Sequence, residues 1–336
     1  VKDVQRVGDP HLGRTFKNNV PLHRRGERER MVRAAFKAAL YPEKGVKNVV
    51  LMGDLFDAPQ VSYETIWTAK GIIADAAANQ PGVMFWLIQG NHDESRNLGE
   101  ITAWNIFELM MVRRDNVRFV RDAVVVDDTV FLPWSPRYSA VEMLELAREA
   151  IETNVIPVTK AYGHWDLDPR SASWNLVPLR ELRALGITEV WTGHIHKPDQ
   201  YKEAGVTVNV VGSLQPYAHG EDGLQSAEVR YITYGYEEYA ELVELNLLDQ
   251  MRNWCVRVVL GPDDPVPATP DCLQFQVERI DQDEDGEAFA VELTLEGFEM
   301  TKAYTETMDE ASILPAVREK IDAKWNTIFT SPSSDI

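Results

Sequence analysis

The sequence predicts an α/β layered domain followed by a smaller β-rich segment. Three observations predict it. Over the first 215 residues, short apolar runs rich in β-branched residues alternate with longer segments whose apolar positions recur at helical spacing. From Val206 onward, strand-like segments follow one another instead. Between them and the C-terminal part, GPDDPVPATPD (261–271) carries four prolines and no periodicity, the composition of a linker.

The elements follow in order. VQRVGD reads as a strand and residues 27–40 as a helix. VKNVVLMGD is a buried strand ending at Gly-Asp. SYETIWTAKGIIADAAAN is a helix with Ser62 as its N-cap. VMFWLIQGN is a strand, and LGEITAWNIFELMM (98–111) a helix. VRFV, VVV and TVFLPW are strands, and SAVEMLELAREAIE is a helix with Ser139 and Glu142 in capping-box spacing. VTVNVVG, EVRYITYG and YAELVELN then read as strands. After the linker, CLQFQVERI and GEAFAVELTLEG flank an acidic DQDED turn, and residues 310–325 read as a last helix. The expected division is residues 1–260, the linker 261–271, a small acidic domain over 272–305, and a helix and tail over 306–336.

Composition narrows the function classes. With 44% hydrophobic and 26% charged residues among 336, the chain is globular rather than disordered. It holds no run of 18 apolar residues to cross a bilayer, and its first residues carry no secretory pattern. Two cysteines, Cys255 and Cys272, are too few for a disulfide framework, so a reducing cytoplasm is the expected location. The net charge of −19 opposes binding to a polyanion, but it is unevenly spread. Residues 261–310 hold 15 acids and 2 bases, whereas residues 1–120 hold 17 bases and 14 acids. Eight of those bases fall between Arg14 and Lys37. They read equally as a solvated helix face or as an arm contacting phosphates.

Acids and histidines gather at strand ends. The groups are Gly8-Asp9-Pro10-His11, Gly53-Asp54-Leu55-Phe56-Asp57, Gly90-Asn91-His92-Asp93, Gly163-His164-Trp165-Asp166 and Gly193-His194-Ile195-His196. In α/β sheets ligands bind beyond the carboxyl ends of the strands. Five of the seven histidines lie in these groups, and His23 and His219 read as structural or surface residues. Mixed nitrogen and oxygen donors without cysteine suit Mn²⁺, Fe²⁺ or Zn²⁺, and the donors suffice for two ions.

These motifs, in this order, resemble the calcineurin-like metallophosphoesterase superfamily over residues 1 to about 245. GDLFD, GHWDL and VWTGHIHKPD are most similar to the SbcD-type (meiotic recombination eleven) DNA-repair nuclease subunit, and to its compact phage relatives. The protein phosphatases carry GDxxDRG and GNHE instead. Here Ala58 follows Asp57 and Asp93 follows His92.

The resemblance implies a two-sheet αββα sandwich with a small β-rich C-terminal capping domain. It implies that Asp9, His11 and His196 hold one ion, that Asn91, His164 and His194 hold a second, and that Asp54 bridges them, with Mn²⁺ the expected metal. His92 would protonate the leaving oxygen or stabilise the phosphorane, and Asp57 would hydrogen-bond His92 to fix its tautomer. Asp93 reads as a loop cap. The implied activity is 3′→5′ exonuclease and endonuclease action on DNA, in the host cytoplasm if the chain is phage-encoded. The implied partners are DNA, a separate SbcC-type SMC-like ATPase docking on the last helix, and a second copy of the chain. The second copy would meet helices 62–79 and 98–111 through Ile66, Trp67, Ile101, Trp104 and Ile106. Two other readings stay open: a phosphoesterase of the same fold acting on a small molecule or protein, and a non-catalytic repair scaffold. The seven complete ligand positions and His92 speak against the scaffold.

Overall fold

The computed structural model describes residues 3–111, 114–167, 176–221, 228–282 and 288–289. The first half runs β1 (Val4–Val7), α1 (Glu27–Ala39), β2 (Asn48–Leu51), α2 (Tyr63–Asn79), β3 (Met84–Ile88), α3 (Ala103–Met111) and β4 (Val117–Val120). Next come β5 (Val124–Val126), β6 (Thr129–Leu132), α4 (Ala140–Glu152), β7 (Lys160–Gly163), α5 (Leu179–Ala184), β8 (Glu189–Thr192), β9 (Asp199–Glu203) and β10 (Val206–Val210). The described elements end with β11 (Arg230–Gly235), α6 (Tyr236–Glu244), β12 (Trp254–Leu260), β13 (Gln274–Arg279), β14 (Asp281–Gln282) and β15 (Ala288–Phe289).

Two sheets form the core. The first has the order β1-β2-β3-β4 and is parallel throughout. The second has the order β5-β6-β7-β8-β10-β9, parallel from β6 to β10 with an antiparallel strand at each edge. Side chains of a strand alternate between faces, and the apolar residues obey that period. On β2 and β3, Val49, Leu51, Phe85 and Leu87 pack with α1, α2 and α3, while Val50 and Ile88 join a separate buried cluster. On β6 and β7, Val130, Leu132 and Ala161 pack with α4 and α5, while Phe131 and Tyr162 join that same cluster. The shared cluster lies between the sheets, and Trp86 stacks on Phe131 across it at 5.2 Å. The architecture is therefore helices, sheet, sheet, helices, as the sequence leads one to expect. It is also why the strands β2, β3 and β6 read as nearly continuous apolar runs: both faces are covered.

The helix starts follow local chemistry. Ser62 Oγ accepts the Thr65 amide at 3.2 Å, and Ser139 and Glu142 close a reciprocal capping box. Two expectations are corrected. The helix expected over 98–111 begins at Ala103. Thr102 Oγ1 accepts the Asn105 amide and Asn105 Oδ1 accepts the Thr102 amide, so the cap sits at Thr102. YAELVELN, expected as a strand, is the body of α6. Its Ala, Glu and Leu favour helix, Glu238 accepts the Gly235 amide at 3.1 Å, and Tyr239 is fully buried.

The chain divides into two compact units, residues 1–258 with 267–277 and residues 259–266 with 278–336. The Pro-rich stretch 261–271 carries no helix or strand. Most of the expected capping domain, and the helix expected over 310–325, lie outside the described residues. Among the described residues, no helix is long and apolar enough to cross a membrane.

Candidate metal centre

All five Gly-led groups converge where the two sheets meet. β1, β2 and β3 deliver Asp9 and His11, Asp54 and Asp57, and Asn91 and His92 from the first sheet. β7 and β8 deliver His164, and His194 and His196, from the second. The glycines have a steric reason. A Cβ on Gly90 would collide with the Asp54 side chain and amide, and one on Gly193 would collide with the Met52 carbonyl and the Asp9 carboxylate. Three candidate ligands hold left-handed backbone angles, with φ of 44° at His11, 47° at Asp54 and 73° at His194. Such conformations cost about 1–3 kcal/mol each and cluster at functional sites.

Three donor groups result: Asp9, His11 and His196; Asp54, His164 and His194; and His11, Asp54 and His92. Asn91 Oδ1 lies 2.9 Å from both His164 Nε2 and His194 Nδ1. Asp54 faces both halves, with Oδ2 at 3.2 Å from His164 Nε2 and 3.7 Å from His11 Nε2. Its other oxygen, Oδ1, accepts the His92 amide at 2.8 Å. Asp9 Oδ2 accepts the His194 amide at 2.8 Å, and the buried Asp9 Oδ1 makes no hydrogen bond among the described residues.

The electrostatics call for cations here. Burial pushes the Asp9 carboxyl up to about 6 despite His164 nearby. His164 is equally buried, yet Asp54 and Asp9 outweigh burial and raise its imidazole to about 9. Burial also acts on Asp54, but His164, His11 and His92 hold its carboxyl well below the usual range. His194 falls to about 4 through burial and the neighbouring His164. His11 Nε2 and His196 Nε2 face each other at 3.0 Å, although two bare ring nitrogens repel. The Asp9 oxygen that makes no hydrogen bond among the described residues, the facing nitrogens and the all-N/O donor set fit two divalent ions. Asp9, His11 and His196 would hold one, Asn91, His164 and His194 the other, with Asp54 between them. His164 Nδ1 donates to the Met52 carbonyl at 2.9 Å, which leaves Nε2 as the donor atom toward Asn91 and Asp54.

The expected Asp57–His92 pair is corrected in its atoms. His92 Nδ1 donates to the main-chain carbonyl of Asp57 at 2.6 Å. The Asp57 carboxylate turns instead to His11 Nδ1 at 3.2 Å and to Arg14 at 3.5 Å. Two cationic or donor groups on that side hold it, and against its burial they lower its pKa. Asp93 is a loop cap, accepting the Phe56 and Gly90 amides at 2.9 Å each.

The basic stretch is also corrected. Arg24 is buried and doubly bonded to Glu27, and Arg28 is buried against Gln215, the Pro216 carbonyl and the Phe16 ring. Neither reaches a phosphate, because their guanidiniums satisfy interior acceptors. Sequence reasoning missed Glu221 and Tyr217. Glu221 accepts from His196 Nδ1 at 3.1 Å, and the Tyr217 hydroxyl donates to the Pro10 carbonyl at 2.6 Å. Both lie in a segment with no strand-end signature, so no spacing in the sequence points to them. His23 pairs with Asp271 at the surface, and His219 contacts Thr233 and the Tyr231 ring.

This site, at the shared edge of two sheets, defines a metal-dependent hydrolase of phosphoester bonds. The family is explicit: residues 7–198, more than half of the chain, match the calcineurin-like phosphoesterase family, and the chain belongs to it. No curated protein matches the chain. Among solved structures, it is similar to TT1561 of Thermus thermophilus at 12% identity, covering 63% of this chain and 89% of that one, with a TM-score of 0.43. It is also similar to the phosphopantetheinyl hydrolase PptH of Mycobacterium tuberculosis, at 13% identity, 64% and 93% coverage and a TM-score of 0.41. A third is GAP50 of Plasmodium, at 14% identity, 67% and 75% coverage and a TM-score of 0.39. None of these likenesses bears on the substrate.

Proposed function

We propose that the chain is a Mn²⁺-dependent DNA nuclease, with 3′→5′ exonuclease and endonuclease action, and the phosphodiesterase subunit of an SbcCD-like repair complex. The observation that carries this reading is Ala58. A phosphomonoester brings one more negative charge to the site than a diester. The phosphatase pattern answers that charge with arginine directly after the acid; here the position is neutral. The neighbouring Arg14 is engaged by Asp57 and lies over the Tyr217 ring at 5.1 Å. A singly charged phosphodiester suits such a site better.

Divalent ions at such a centre supply Lewis-acid polarisation of the phosphoryl oxygens and a bound water acidic near neutral pH. The chain supplies the rest. Asp54 sets Oδ2 toward both halves of the site and holds the His92 amide with Oδ1. His92, with its Nδ1–H donated to the Asp57 carbonyl, presents Nε2, which gives a proton to the leaving oxygen when the ring is doubly protonated.

The homodimer belongs to the same proposal. Ile66 and Trp104, expected at the interface, are buried in the core instead, and Ile106 packs against it. Trp67 and Ile101 are exposed, and Tyr63 and Leu109 add to the apolar surface of these helices. Docking of the SMC-like ATPase is assigned to residues 310–325, outside the described residues.

The test is hydrolysis of linear duplex DNA, bis(p-nitrophenyl) phosphate and p-nitrophenyl phosphate with Mn²⁺ or with chelator. DNA and the diester should be cleaved, the monoester far more slowly, and all activity should vanish in chelator and in Asp54→Asn. Intact DNA alongside rapid monoester hydrolysis would return the chain to the phosphatase reading.

A further inference from the structure

Tyr217 touches all three residues assigned to the first ion, Asp9, His11 and His196. Its ring meets the His11 ring edge-on at 5.2 Å and the His196 ring at 5.8 Å. Its hydroxyl donates to the Pro10 carbonyl at 2.6 Å and lies 3.2 Å from the Asp9 carbonyl. Asp9 and His11 follow β1 of the first sheet, and His196 follows β8 of the second. One side chain therefore spans the two sheets where their donors have to meet.

Tyr217 is itself held in place. It is buried, Phe16 stacks on it at 6.3 Å, and its amide donates to Glu221 at 2.8 Å. The backbone just before it makes two more links to the same turns. The Leu214 amide donates to the Asp9 carbonyl at 3.2 Å, and the Ser213 amide to the His196 carbonyl at 2.9 Å. The Pro10 contact also bears on strain. His11 holds a left-handed φ of 44°, a conformation that persists only where its surroundings fix it. The Pro10 carbonyl belongs to the peptide plane that enters His11. Pinning that plane sets where the imidazole points.

We propose that Tyr217 is a positioning residue that sets the affinity of the first ion. Its hydroxyl fixes the peptide between Pro10 and His11, and its ring fixes the two imidazoles against each other. The inference rests on the two-ion reading of the centre and is independent of the substrate. A tyrosine that only filled the core would act on folding. A tyrosine that orients ligands acts on ion binding by the folded protein, as partners behind metal ligands do.

The experiment is Mn²⁺ titration calorimetry on the full chain, with folding in chelator checked by circular dichroism. Tyr217→Phe keeps the ring and loses the hydroxyl, and Tyr217→Leu loses both. Tyr239→Phe is the matched control, because Tyr239 is also buried and its hydroxyl donates to the Ala268 carbonyl at 2.8 Å, outside the centre. Tyr217→Phe should weaken one of two Mn²⁺ sites about tenfold and Tyr217→Leu about 100-fold, the span expected of an outer partner. The other site should hold its affinity, and Tyr239→Phe should lose melting temperature but neither affinity. At a Mn²⁺ concentration that fills both wild-type sites, electron paramagnetic resonance should show a coupled pair in the wild type and lone ions in the Tyr217 variants. Unchanged affinities in a folded Tyr217→Phe, a loss shared equally by both sites, or an equal loss in Tyr239→Phe overturns the proposal. A wild type that binds a single ion removes the two-ion reading. The proposal then stands if that ion weakens in Tyr217→Phe and not in Tyr239→Phe, and falls otherwise.

Discussion

Glu221 and His196 form a fixed pair, with Oε1 of the acid 3.1 Å from Nδ1 of the imidazole. The second oxygen of Glu221 accepts the Tyr217 amide at 2.8 Å, so the carboxylate cannot swing away without breaking both hydrogen bonds. His196 is thereby turned with Nε2 toward His11 and Asp9. Both groups are partly buried, and against that burial their bond raises the pKa of His196 and lowers that of Glu221. A carboxylate behind a metal-binding imidazole fixes its tautomer and strengthens its donor atom.

Glu221→Gln should therefore weaken Mn²⁺ binding about 10–100-fold, the usual effect of removing such a partner. Titration calorimetry should show the loss confined to one of two sites. Unchanged affinity at both would reduce Glu221 to a loop anchor.

His92→Ala should retain two ions and lose roughly 10²–10⁴-fold in turnover, the range for a positioned acid. Asp57→Ala keeps the main-chain carbonyl that holds His92, so at saturating Mn²⁺ it should cost far less. Its penalty should appear as a raised Mn²⁺ requirement, because His11 loses its carboxylate neighbour. Equal losses of turnover in the two variants would restore a side-chain dyad.

DNA binding should draw on the exposed members of the basic stretch. Arg25, Arg30 and Lys37, changed together to Ala, should flatten the salt dependence of duplex binding by about 0.9 in slope for each phosphate no longer neutralised. Arg28→Ala should instead lower stability, at about 1–3 kcal/mol for each acceptor left unpaired. Chemical denaturation and filter binding separate the two effects. An unchanged slope in the triple variant moves the DNA path elsewhere.

Two tryptophans on adjacent helices should behave oppositely. Trp104 is fully buried and meets Phe119 edge-on at 5.5 Å, so Trp104→Ala should cost about 3–5 kcal/mol of stability. Trp67 is 65% exposed, and Trp67→Ser should leave the fold intact while shifting sedimentation toward monomer. A wild type that sediments as a monomer at all concentrations would remove the dimer.

Acid sensitivity should trace in part to His219. Burial, with Arg257 adding to it, pulls this imidazole from 6.5 down to about 4. Between those values the unfolded chain binds a proton that the folded chain refuses. Stability is therefore full above about 6.5 and falls as the pH drops toward 4. In chelator, the melting temperature of His219→Asn should fall less between about pH 7.5 and pH 5 than that of the wild type. Parallel falls would place the acid sensitivity elsewhere.

Local chemistry determined much of this protein. The alternation of buried strands with amphipathic helices, the caps at Ser62 and Ser139, and the Gly-led acids and histidines at strand ends are all written over a few residues each. So is the family, because its ligands sit at fixed offsets from strand ends. Other features depend on partners far along the chain. Arg28 is a core residue because Gln215, 187 positions away, accepts its guanidinium. Trp104 faces inward and Trp67 outward because of how α3 and α2 pack on one sheet, while the apolar character of both residues is alike. YAELVELN could alternate as a strand, and a buried Tyr239 with the Gly235–Glu238 cap settles it as helix. The Asp57 carboxylate chooses His11 over His92 only once β1, β2 and β3 stand side by side, and Glu221 reaches His196 only once the segments that follow β10 and β8 meet. Periodicity and caps are set by neighbours in sequence, whereas the choice among competing hydrogen-bond partners is set by distances that only the folded chain creates.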